Sequence, residues 1–222
     1  MRMPENATGP GHQTREEERL NSGLHGAGAL AAFAAGGHVL RHLPGPVVQT
    51  ASMAVYVATL VVLLATSAIY HALPGGRRKD LFQILDRAAI YLLMAGTYTP
   101  IGLVMEGGHV GLRLCVAEWV LATIGVASAA LGRERFLALS TWLYQLMGWL
   151  TALGMRPLLA NADPLVVYGL ALGGIMYVAG VLFLLRDHRP YFHPASHVLV
   201  IIGASMQFGA ISLFLGGPHG QV

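Results

Sequence analysis

Charge is scarce in this chain. Only 11% of its 222 residues are Asp, Glu, Lys or Arg, while 55% are hydrophobic. A water-soluble domain carries about 25% charged residues, so a mean hydropathy of +0.57 points to an integral membrane protein. Cysteine is rarer still. Cys115 stands alone, which excludes a disulfide framework and any metal site built on several cysteines. The net charge is a modest +3, and the basic residues sit singly or in threes between apolar runs; binding to nucleic acid is not expected. Residues 1–22 contain Glu16, Glu17 and Glu18 and lack an apolar stretch with a cleavage site. They read as a short cytosolic tail and not as a secretory signal.

Long apolar runs, by contrast, are abundant. A membrane-spanning helix needs about 17–25 mostly apolar residues, and seven runs of that kind lie near 23–43, 49–73, 84–105, 111–131, 137–155, 164–185 and 194–215. Short connectors rich in Pro and Gly separate them, as helix ends require. The expectation is an all-α bundle of seven transmembrane helices spanning 23–216, a short outer tail at 217–222, and no second domain. Placing the N-terminus inside leaves Arg41, Arg113 and Arg156 outside and the other eleven of the 14 Lys and Arg residues in the cytosol. That is the positive-inside pattern, so the C-terminus is expected outside.

Polar groups then gather in one place. Glu18, Asn21 and His25 start the first run at spacings of three and four; Ser67 and His71 end the second; Asp86 starts the third; His193 and His197 start the seventh. All four ends fall on the expected cytosolic side. Residues four apart share a helix face, so His193 and His197 can aim at one point, and His71 can supply a third nitrogen. Pro194 is expected at the first helical position, where its missing N–H costs nothing. Three imidazoles with one open position form a standard catalytic zinc arrangement, in which Asp86 and Ser67 would orient water or substrate. The residues alone leave a plainer reading open. In it the histidines are separately hydrogen-bonded at the interface, and Asp86 is a capping acid on the following helix dipole.

The motifs taken together resemble the haemolysin III family, the bacterial branch of the progestin and adipoQ receptor group that includes the adiponectin receptors. The resemblance rests on Glu18-x2-Asn21-x3-His25-Gly26, Ser67-x3-His71, Asp86 leading into GTYTP at 96–100, and His193-x3-His197. It covers nearly the whole seven-helix region. It implies a cell-membrane protein with a cytosolic N-terminus and Zn²⁺ on His71, His193 and His197. Asp86 would hold the zinc's water, and Ser67 would belong to the same site. Kinship with alkaline ceramidases implies hydrolysis of lipid amides, with membrane lipids as partners. Glu18, Asn21 and His25 match the family's N-terminal motif without an assigned role. Pro194 and Ala195 depart from its seventh-helix motif.

The same residues also allow other functions: a non-enzymatic sensor with structural zinc, a pore-forming haemolysin, and a bis-His haem protein. A pore needs a polar lumen, and only Glu118, Gln145 and Gln207 offer one within the runs. His12, His38, His42, His109, His188 and His219 are not expected at the site.

Overall fold

The computed structural model describes residues 13–131, 142–144, 146–150 and 162–217. Among them are six α-helices: α1 (Arg15–His42), α2 (Val47–Ala72), α3 (Arg77–Pro100), α4 (Gly108–Leu131), α5 (Pro164–Leu184) and α6 (Phe192–Gly216). A π-helical turn (Ile101–Glu106) prolongs α3, and there is no strand among the described residues. The all-helical expectation holds. The fifth expected run, 137–155, lies partly outside the described residues, and its described portions, 142–144 and 146–150, are helical. His12, Gln145 and His219 also lie outside them.

Five helices are long and apolar enough to cross a membrane: Val47–Ala72, Arg77–Glu106, Gly108–Leu131, Pro164–Leu184 and Phe192–Gly216. The first helix, α1, falls short of that criterion, for a reason its burial pattern gives. Its inward face carries Glu17, Asn21 and His25 at four-residue spacing, all buried, so a polar stripe replaces the usual apolar one. Large apolar side chains such as Leu30 and Phe33 face outward, as lipid contact demands.

Helix starts explain where the site residues end up. Thr14 caps α1, accepting from the Glu17 amide while the Glu17 carboxylate accepts from the Thr14 amide. This reciprocal box satisfies two orphan donors and starts the helix eight residues ahead of the apolar run. Gly76, at φ 133°, turns the chain into α3, so the helix begins with Arg77 and Asp80 supplies the acid of its first turn. Asp86 is therefore not a capping residue. It lies inside α3, more than two turns from its start, which removes the plainer reading of that carboxylate. Pro194 also differs from expectation: α6 starts at Phe192, so proline is its third residue. Its missing N–H still falls among the first four unbonded amides.

Packing fixes the order of the bundle. The core is built on α2, where Met53, Tyr56, Leu60 and Leu64 recur at helical spacing and meet Leu93, Ile101, Ala204, Ile211 and Leu215. Helix α2 packs on α1 and α3, α3 on α4, α5 on α6, and α6 closes back on α1. Polar ties accompany these contacts: Ser22 donates to the Ala68 carbonyl at 3.0 Å, and Gln49 donates to the Leu215 carbonyl. Helices α5 and α6 approach closely at Gly173 and Gly203. A Cβ on either glycine would stand 2.9 Å from the other's carbonyl oxygen, an approach that small residues permit in lipid. Gly203→Val should push α6 away and cost about 1–3 kcal/mol, as overpacking typically does. A thermal melt in detergent that matches wild type would show that the contact carries no weight.

Candidate metal centre

Two helices deliver three histidines to one end of the bundle. His71 sits one residue before the end of α2, and His193 and His197 occupy the first two turns of α6. The ligating atoms of these three lie within 4.8 Å of one another. His71 Nε2 and His197 Nε2 face each other at 3.1 Å. Two nitrogens each about 2.0–2.1 Å from a tetrahedral zinc are about 3.3 Å apart, so this pair already has the spacing of two metal ligands. His193 Nδ1 is buried and has no hydrogen-bond partner among the described residues, which leaves it open to an ion. The donor set fits a transition metal that favours imidazole.

A carboxylate settles which nitrogen of His71 is which. Glu18 Oε2 lies 2.7 Å from His71 Nδ1. A carboxylate only accepts, so Nδ1 carries the proton and Nε2 presents its lone pair to the cluster. Metal-bound histidines are commonly oriented in this way. Lys79, in the first turn of α3, donates to Glu18 Oε1 at 2.6 Å and to the Leu73 carbonyl at 3.3 Å. Burial raises the Glu18 carboxyl, but the bonds and charges of His71 and Lys79 outweigh it and hold the group below the usual carboxylate range.

The structure places the other sequence-named residues, Ser67, Asp86, Asn21 and His25, on α2, α3 and α1. Ser67 is buried one turn before His71, and Asp86 is near enough to interact with both Ser67 and His71. Asn21 is fully buried and donates to Gln13 Oε1 at 2.7 Å. His25 is buried, and its ring meets His197 edge-on with centroids 4.0 Å apart. It is a fourth imidazole beside the three, although its nitrogens are not part of the convergent set. His38 and His42 pair with each other near the other end of α1, four to five turns from His25.

Sequence reasoning missed three contributors. Glu17 is buried and accepts from the Tyr191 backbone amide at 2.6 Å. Tyr191 caps α6 in a left-handed conformation, φ 62°. Lys79 anchors Glu18. Thr14-x2-Glu17 carries a visible capping signature, whereas nothing local in the sequence marks Lys79 or Tyr191. Glu118 is fully buried on α4, near Tyr98 and Cys115. Tyr98 lies about three turns along α3 from Asp86.

Fold and site together define a multi-pass helical membrane protein with a three-histidine cluster at one end of its bundle. The family model described as "Haemolysin-III related" matches residues 13–208, and the chain belongs to that family. It is 32% identical over 203 residues to the "Hemolysin-3 homolog" of Bacillus subtilis (strain 168), covering 90% of this chain and 95% of that one. The "Hemolysin-3" of Bacillus cereus is 33% identical over 205 residues, covering 90% and 92%. The human "Monocyte to macrophage differentiation factor" is 27% identical over 167 residues, covering 72% and 69%.

Proposed function

We propose that this chain is a zinc-dependent hydrolase of amide-linked lipids, acting in the cell membrane on substrate from the cytosolic leaflet. One observation carries the reading: three imidazoles converge, two of them at 3.1 Å, beside an acid that no capping role explains. Zinc held there would polarise a carbonyl and acidify a water molecule. Asp86 takes the proton from the attacking water as the oxygen joins the carbonyl carbon, then returns it to the departing amine nitrogen as the C–N bond breaks. Ser67 lies close enough to the same carboxylate to keep it aimed. Glu18 holds His71 in one tautomer throughout. A lateral groove of about 550 Å³ beside α1, with Gly23, Ala27, Gly28 and Ile201 in its walls and Arg19 at one end, suits an acyl chain arriving from lipid. The Lys and Arg distribution supports a cytosolic N-terminus and an outer C-terminus.

A non-enzymatic sensor with structural zinc is the second reading, and His25 favours it. A fourth imidazole packed on His197 is what a closed site would contain. Metal stripping separates the two. Chelation of the purified protein should leave its helical circular dichroism intact while abolishing turnover of a lipid amide, and added zinc should restore it. Unfolding on chelation supports the sensor reading instead. Turnover that survives complete metal removal rejects the hydrolase mechanism.

A further inference from the structure

Glu17 and Glu18 are adjacent, and adjacent residues on a helix point about 100° apart. They are thus suited to grip two different elements, and the bonds show each doing so. Glu18 reaches α2, where it orients His71 through Nδ1 at 2.7 Å. Glu17 reaches the start of α6, where its Oε1 accepts the Tyr191 amide at 2.6 Å. The other Glu17 oxygen takes the Thr14 amide at 2.8 Å and the Thr14 hydroxyl at 2.9 Å. One buried carboxylate therefore caps α1 and secures the Tyr191 amide, two positions ahead of His193.

Tyr191 makes the second grip informative. Among the described residues it is the one non-glycine residue with positive φ, a conformation that persists where its surroundings impose it. The Glu17 bond falls on that residue's own amide, two positions before His193. Burial raises the Glu17 carboxyl, but the amides of Thr14 and Tyr191 and the Thr14 hydroxyl more than offset it and hold the group below the usual carboxylate range. The two helices that carry the imidazoles are consequently referenced to one turn of a third helix.

We infer that the first turn of α1 is the assembly clamp of the metal centre, with Glu17 and Glu18 as positioning residues that set the α6 and α2 ligands respectively. Neither is a ligand. The inference rests on the three-histidine site binding a metal, and it extends that reading by naming what aligns the ligands.

The test is zinc affinity, measured with a competing chromophoric chelator on the full-length protein in detergent. Glu18→Ala and Glu17→Ala should each weaken zinc binding about 10–100-fold, the usual cost of losing a partner that orients a ligand. Glu17→Gln, which cannot accept from both Thr14 and Tyr191 amides as strongly, should fall between wild type and Glu17→Ala and keeps the test alive if the alanine variant does not fold. Thr14→Ala is the comparison for the cap alone: it weakens the α1 cap and removes the hydroxyl from the second Glu17 oxygen, but leaves the Thr14 backbone amide on that oxygen and the Tyr191 amide on the first. It should lower the thermal midpoint while leaving zinc affinity within about twofold of wild type, a change too small for a lost orienting contact. Cobalt substitution adds a spectroscopic signature, since misaligned ligands shift the visible d–d bands in the glutamate variants and not in Thr14→Ala. Wild-type affinity and spectra in both glutamate variants would overturn the clamp while leaving the metal site standing. Thr14→Ala losing affinity as strongly as Glu17→Ala would reduce Glu17 to an ordinary cap and also overturn it. A wild-type protein that takes up no zinc or cobalt would overturn the site reading and the clamp with it.

Discussion

His197→Ala should leave the purified protein folded and nearly free of zinc. His197 is the hub of the cluster: its ring lies 4.0 Å from that of His25, 4.7 Å from His193 and 5.0 Å from His71, centroid to centroid. Its Nε2 stands 3.1 Å from His71 Nε2. Removing it leaves only two of the three convergent ligands, His71 and His193, on different helices. Losing only a group that orients a ligand already weakens metal binding about 10–100-fold, so losing the ligand should cost at least about 100-fold. Elemental analysis after gel filtration reads this directly, with His38→Ala as the comparison. His38 is exposed near the opposite end of α1 and should not alter metal content. Equal zinc in wild type and His197→Ala would mean that the ion is held elsewhere. The fold should survive because neighbouring α6 contacts, such as Ala204, Ile211 and Leu215 in the core, do not depend on the imidazole.

How much of this was legible beforehand depends on the range of the interaction. Apolar runs announce α2, α4, α5 and α6, because lipid leaves backbone groups no alternative to helical bonding. The His193–His197 pair was legible because its geometry is local: four residues apart on one helix share a face. Convergence with His71 could be expected only from the shared membrane side, and the distances came with the packing of α1, α2 and α6. The start of α1 was not found from hydropathy, since Arg15, Glu16, Glu17, Glu18 and Arg19 look like a solvated tail. Their helical fold depends on the Thr14 cap and on partners more than fifty residues away. Asp86 was misplaced at a helix start for a related reason. The basic stretch Arg77, Arg78, Lys79 reads as a connector, but Gly76 turns the chain early and makes it the first turn of α3. The Glu17–Tyr191 bond spans 174 positions and depends on a left-handed residue that is not glycine. No local pattern announces it.

Asp86→Asn should separate binding from chemistry in the proposed lipid-amide hydrolase. The side chain sits inside α3 beside Ser67 and His71, so the amide of the same size fits the same space. Zinc content should therefore remain at the wild-type level, because the ligand set of His71, His193 and His197 is untouched. What the amide cannot do is take up a proton at neutral pH. Positioned proton transfer contributes about 10²–10⁴-fold to rate, and turnover of a lipid amide should fall by a factor in that range. The loss should appear in kcat with little change in KM, since an interaction needed only at the transition state affects the two in that way. Ser67→Ala should follow the same pattern with a smaller loss, as it aims the carboxylate and transfers no proton in the mechanism. An Asp86→Asn protein that keeps both its zinc and its full rate would remove Asp86 from the chemistry. One that loses its zinc would instead place the carboxylate among the groups that hold the ion, and the division between ligand and base drawn here would have to be redrawn.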